Sequence, residues 1–253
     1  MPIRILIVDS YQELSQLSAG FVAEMVRFKP SAVLGLATGS TPIGMYEELV
    51  RLHIEQGLDF SKTTTFNLDE YVGLSESHAQ SYYTYMRRNF WDCVNIPSDQ
   101  VHIPRGDAGD LARECEEYEE GIERAGGIDL QVLGIGTNGH IGFNEPGSDF
   151  GTKTHVVRLS ESTIEANSRF FASSNFVPRE AISMGLQTIF RSRRILLLAD
   201  GESKARAIRQ MVTGDVTPQL PASLLKQHAD VMLMVTRQAA AELPEDVVKL
   251  SGT

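Results

Sequence analysis

Cysteine is scarce in this chain. Cys93 and Cys115 are the only two among 253 residues, and they form no CxxC pair. That excludes a disulfide framework and a thiolate metal cluster, and both read as reduced, buried thiols of a cytoplasmic protein. Long hydrophobic runs are lacking too. The opening MPIRILIVDSYQEL carries an apolar stretch too short for a signal peptide or a membrane span, and no later stretch reaches membrane length. Positive charge is in deficit, 23 Lys and Arg against 33 Asp and Glu, for a net charge of −10. A nucleic-acid partner is thereby excluded, because it needs clustered cations against its phosphates. The six histidines form no HxH or HExxH pair, so no metal is expected. Repeats, linkers and low-complexity segments are absent, and residues 1–253 read as one domain.

What is present is an alternation of short apolar runs and amphipathic stretches, which predicts an α/β fold. Strands are expected at Ile3–Val8, Ala32–Ala37, Thr63–Phe66, Ile128–Ile135, Lys153–Leu159, Arg194–Ala199 and Val231–Val235. Helices are expected after Asp9-Ser10, from Thr41-Pro42 to about His53, over Gln80–Trp91, Gly109–Ala125 and Ser160–Phe171, and from Gly201 onward. The charge run RECEEYEEGIER reads as a solvated helix face. Ser98–Gly106 reads as irregular, and Pro178 as reopening a helix or turn.

The densest chemistry lies in IDLQVLGIGTNGHIGFNEPG, residues 128–147. Leu130, Val132, Leu133 and Ile135 predict a strand buried on both faces. Its carboxyl end runs into Gly134, Gly136 and Gly139, then Asn138, His140, Asn144 and Glu145. Gly134-x-Gly136-x-x-Gly139 matches the dinucleotide fingerprint, but that motif requires a helix to follow. Two more glycines and a proline within eight residues exclude such a helix, so no nicotinamide cofactor is expected. The stretch reads instead as a loop with an imidazole and a carboxylate at the ligand-binding edge of a sheet.

Two other strand ends point to the same edge. Thr38-Gly39-Ser40-Thr41-Pro42 places three hydroxyls and a glycine at a helix start, where unsatisfied N–H groups and the helix dipole attract an anion. With no lysine after Gly39 it is not a Walker loop; Thr41 reads as the N-cap and Pro42 as the first helical residue. Asn67-Leu68-Asp69-Glu70-Tyr71 places adjacent carboxylates after a buried strand. Successive side chains diverge along an extended chain, so Asp69 and Glu70 should not share a role; a surface turn is the plain alternative. Lys204, in a helix's first turn, opposes the dipole unless an anion bridges it.

LATGSTP (36–42), NLDEYVGL (67–74), SYYTYMRRNF (81–90) and GIGTNGHIGFNEPG (134–147) closely resemble the glucosamine-6-phosphate deaminase family, and ANSRFF, VPREAISMG and GESKARAI extend the likeness in order. The resemblance implies an open, mostly parallel Rossmann-like sheet with helices on both faces. It also implies conversion of D-glucosamine 6-phosphate and water to D-fructose 6-phosphate and ammonia, in amino-sugar catabolism and without a cofactor. It assigns Thr38, Gly39, Ser40, Thr41, Arg169 and Lys204 to the substrate phosphate, Asp69 to proton transfer at C2, and His140 with Glu145 to ring opening. Some members carry Asp where Asn138 stands; an amide can orient the loop but carries no charge. The sister family, 6-phosphogluconolactonase, is the alternative, but it has Arg in place of Tyr71 and lacks FNEP. Some deaminases are hexamers activated by N-acetylglucosamine 6-phosphate, held by basic residues after FNEP and by a C-terminal extension. His155 and Val157 stand at those basic positions, and an imidazole carries little charge near neutral pH. With Thr253 soon after the last strand, the expectation is a monomer rather than a hexamer, with hyperbolic kinetics.

Overall fold

In the computed structural model, which describes residues 3–168, 171 and 176–250, strands and helices alternate as the sequence periodicity requires. The order is β1 (Arg4–Val8), α1 (Tyr11–Phe28), β2 (Val33–Leu36), α2 (Ile43–Gln56), β3 (Thr64–Asn67), β4 (Asp69–Tyr71), α3 (Tyr82–Asn89) and β5 (Val101–His102). Then come α4 (Leu111–Arg124), β6 (Leu130–Gly134), β7 (His155–Arg158), α5 (Glu161–Asn167), β8 (Glu180–Ser183), α6 (Leu186–Phe190), β9 (Arg194–Ala199), α7 (Ala205–Thr213), β10 (Val231–Thr236) and α8 (Glu245–Leu250).

Seven strands form one sheet in the order β1-β10-β9-β6-β2-β3-β5, and every pairing in it is parallel. Central strands such as β2 (VLGL) are buried throughout, as a sheet covered on both faces demands. Two apolar clusters cover the two faces. One gathers Leu133, Leu197, Ile208 and Leu225; the other gathers Leu34, Tyr46, Phe90 and Leu196. Successive residues of one strand, Leu196 and Leu197, thus serve opposite clusters. Strand order reverses where β6 lies beside β2, and in open α/β sheets that junction is where a ligand crevice opens.

Several local expectations are corrected. Pro178 opens no helix: β8 follows it, pairing antiparallel with β4 and β7 in a second, three-stranded sheet. Asp69-Glu70-Tyr71 is therefore a buried strand and not a surface turn. The segment 98–106 contains a two-residue edge strand. The acidic face of α4 is not wholly solvated, because Glu114 and Glu119 are buried against partners. Glu114 meets Arg105, and one oxygen of Glu119 accepts from Thr154 and Thr188. Cys93 is exposed and Cys115 buried.

The start of α2 differs as well. Helix α1 has the expected cap, Ser10 Oγ accepting from Glu13 N while Glu13 accepts from Asp9 N. Helix α2 has none: Pro42 sits at the cap position, with no side-chain hydrogen bond from Thr41. The hydroxyl of Tyr11 instead accepts from Gly44 N at 2.9 Å. Among the described residues no helix is long and apolar enough to cross a membrane.

Candidate active site

The loops after β2, β3 and β6 meet at the switch point around a cavity of about 280 Å³. It is lined by Thr38, Gly39, Ser40 and Thr41 from the first loop, Leu68 from the second with Asp69 at the start of β4 just beyond it, and Gly136, Asn138 and His140 from the third. Thr163 from α5 and Lys204, ahead of α7, complete the wall. The structure thus brings nine of the ten sequence-derived candidates together, eight as lining residues and Glu145 through its bonds to them. Arg169 lies outside the described residues. A larger groove of about 670 Å³ runs between β5 and α4, but none of the three loops lines it.

Each candidate is held by local geometry. Gly39 has φ +97°, a backbone that favours glycine, and it turns the chain from β2 toward α2. No helix follows Gly139; turns carry the chain to Glu145. The His140 ring lies directly over Gly136, where a Cβ would stand 2.4 Å from the imidazole. Glycine at 136 therefore makes room for the histidine. Asn138 Oδ1 accepts from His140 N at 3.2 Å, while its Nδ2 donates to Glu145 Oε2 at 2.6 Å. One amide thereby fixes both the loop and the carboxylate. Glu145 Oε1 stands 3.4 Å from His140 Nδ1, an ion-pair separation longer than a direct hydrogen bond.

The carboxylates differ sharply in environment. Burial pushes Glu145 upward, but His140 beside it and hydrogen bonds from Thr163 and Asn138 outweigh that and hold it at about 2. Burial raises Asp69 to about 8, with the Glu70 charge adding to the effect. Glu70 is also raised by burial, to about 7, against the pull of three backbone donors. Those donors are Tyr71 N, Tyr82 N and Tyr83 N. Adjacent carboxylates have thus separated: Asp69 faces the cavity, and Glu70 binds the start of α3.

Sequence reading missed the residues that brace this arrangement. Thr163 Oγ1 donates to Glu145 Oε1 at 2.5 Å, and Ser160 Oγ lies 3.2 Å from the same oxygen. The Ser160-x-x-Thr163 pair at a helix start was a readable signal, but for a cap. Ser160 does cap α5, accepting from Thr163 N. The segment before β10 also braces the glycine loop: Ala222 N donates to Gly139 O and Gly147 N to Pro218 O. Leu220 packs so closely on Gly139 that a Cβ there would come within 2.1 Å of it.

An open parallel sheet with an anion-attracting helix start and paired acid–base groups at its switch point defines an α/β enzyme acting on a small molecule. A sequence profile described as glucosamine-6-phosphate isomerases/6-phosphogluconolactonase matches residues 9–234, and the chain belongs to that family. The glucosamine-6-phosphate deaminase of Halothermothrix orenii is 55% identical over 240 residues, 95% of this chain and 100% of that one. That of Clostridium botulinum (strain Kyoto / Type A2) is 52% identical over 240 residues, 95% and 98% of the two chains. A solved structure of a monomeric glucosamine-6-phosphate deaminase matches with TM-score 0.94 at 47% identity, over 95% of this chain and 100% of the other. The 6-phosphogluconolactonase from Trypanosoma brucei, at 21% identity and TM-score 0.76 over 96% and 99% of the two chains, shares the fold alone.

Proposed function

We propose that this chain is a cytoplasmic glucosamine-6-phosphate deaminase, converting D-glucosamine 6-phosphate and water to D-fructose 6-phosphate and ammonia. The observation that carries the reading is the convergence of a phosphate-compatible loop and two unlike acid–base groups, Asp69 and His140, on one small cavity. The phosphate lies against the start of α2, the hydroxyls of Thr38, Ser40 and Thr41, and Lys204, with Arg169 as a further partner. Charge-assisted hydrogen bonds of this kind fix the sugar's far end.

His140 opens the ring, taking the proton of the C1 hydroxyl and returning one to the ring oxygen. Ionised Glu145 favours the tautomer with hydrogen on Nδ1, leaving Nε2 to move the proton. Asn138 holds Glu145 in that position without contributing charge. Asp69 then moves the C2 proton to C1. Before substrate binds, a carboxyl raised to about 8 is largely protonated at pH 7. The substrate's C2 ammonium brings an opposite charge beside it and favours the carboxylate that the step needs. Water adds at C2 and ammonia leaves, so the reaction consists of proton transfers, one hydration and one elimination.

The reading extends to regulation. Lys153, Thr154, His155 and Val156 line a cavity whose other wall carries Glu116, Glu119, Glu120 and Glu123. Four glutamates repel a sugar phosphate, which supports a monomer without an N-acetylglucosamine 6-phosphate effector site. Ammonia release from glucosamine 6-phosphate by the purified protein, run beside hydrolysis of 6-phosphogluconolactone, tests the activity. Turnover of the amino sugar alone is expected; turnover of the lactone alone would reverse the assignment.

A further inference from the structure

An anion-binding loop must do more than offer N–H groups. Its carbonyl oxygens, each carrying partial negative charge, have to be turned elsewhere, or they repel the ligand. In this chain tyrosine hydroxyls hold them. Tyr85 Oη donates to Gly39 O at 2.6 Å. Tyr11 Oη lies 3.0 Å from Ser40 O and 3.1 Å from Thr41 O, one shared hydrogen serving both. The same oxygen accepts from Gly44 N, taking the place of the absent helix cap. Neither tyrosine lines the cavity that the loop faces. Tyr85 lies behind it, in a separate cavity of about 360 Å³ whose wall shares Gly39 and Ser40. Tyr11 reaches α2 because residue 44 is glycine: a Cβ there would meet the Tyr11 ring at 3.1 Å and Ser15 Oγ at 2.2 Å.

We propose that Tyr11 and Tyr85 are positioning residues for the phosphate loop, holding the carbonyls of Gly39, Ser40 and Thr41 away from the cavity so that its N–H groups and hydroxyls face the ligand. Tyr11 and Tyr85 come from α1 and α3, on opposite sides of the loop in sequence, and each acts through one oxygen. Losing either hydroxyl lets a carbonyl swing toward the phosphate without emptying the site. This inference rests on the sugar-phosphate reading of the cavity.

Tyr11→Phe, Tyr85→Phe and the double variant test it, since each removes one oxygen and keeps the ring. Each single change should raise KM for glucosamine 6-phosphate about 3- to 10-fold, the worth of one hydrogen bond, with kcat within about twofold. The dissociation constant of inorganic phosphate, titrated by calorimetry, should rise by the same factor. The double variant should lose close to the product of the two. Residual turnover of glucosamine, which has no phosphate, should be unchanged. A role confined to fold stability would instead lower kcat for both sugars and leave phosphate affinity alone, and that result overturns the proposal. So would unchanged KM and phosphate binding in both variants. If the wild type released no ammonia, the activity reading would fail, while the phosphate titrations would still decide whether the tyrosines set the loop.

Discussion

Replacing Asp69 by Asn should make the empty protein more stable, and more so as pH rises. Asp69 is buried and its carboxyl is raised from 3.8 to about 8, first by burial and then by the Glu70 charge. Between those values the native state keeps a proton that the unfolded chain has released. Stability therefore falls as pH climbs through that window, and the full penalty is present above about 8. A shift of about four units at ~1.36 kcal/mol each sets a ceiling of about 5 kcal/mol. The amide keeps the shape and carries no charge, so it escapes the penalty. Even a third of that ceiling, ~2 kcal/mol, raises Tm by about 4–8 °C in a chain of this size. The assay is calorimetric unfolding of ligand-free wild type and Asp69→Asn at steps from pH 5 to pH 9. The gap should be smallest at pH 5, widen up to about pH 8 and then level off. A variant that is less stable at pH 9, or offset equally at every pH, would show that the folded state tolerates the charge at Asp69.

Lys204→Ala should raise KM for glucosamine 6-phosphate by roughly 10- to 100-fold with little change in kcat, since a charge-assisted hydrogen bond is worth about 1.5–3 kcal/mol; steady-state kinetics with glucosamine as the control would expose an equal loss for both sugars, which contradicts a phosphate role. Thr163→Val removes a donor to ionised Glu145, so the carboxyl should rise from about 2 and the acid limb of the rate profile should move up by about one unit. An unmoved acid limb would take Thr163 out of the Glu145 network. Rate against substrate should be hyperbolic, and N-acetylglucosamine 6-phosphate should leave it so; sigmoidal curves that the acetylated sugar straightens would restore an effector site.

All strands of the main sheet but β5, two residues inside a segment that reads as irregular, were legible, most of them as short apolar runs that stop at glycine or polar residues, as at Leu130–Gly134 and Val33–Leu36. Those endings also located the loops that meet at the cavity. Less was legible wherever a residue's partner lies far along the chain. Glu180–Ser183 carries only a few residues of strand pattern behind Pro178, and it is a strand because β4 and β7 flank it. Thr163 looks like part of a cap until the fold brings Glu145, 18 positions earlier, within 2.5 Å. Thr41 and Pro42 spell a capped helix start, yet Tyr11, 30 positions before Thr41, supplies the oxygen. The α4 glutamates read as solvated because helical periodicity cannot reveal that Thr154 and Thr188 will cover one of them.

The central claim is that proton transfer by Asp69 at C2 leads to loss of ammonia, and proton NMR of glucosamine 6-phosphate with the purified protein in heavy water tests it most directly. With the wild type, fructose 6-phosphate and ammonium should appear in equal amounts. Asp69→Asn should still bind the substrate, seen by titration, while turnover falls by at least ~10²–10⁴-fold. Ammonium formed by Asp69→Asn at the wild-type rate, or no ammonium from the wild type, would contradict the account.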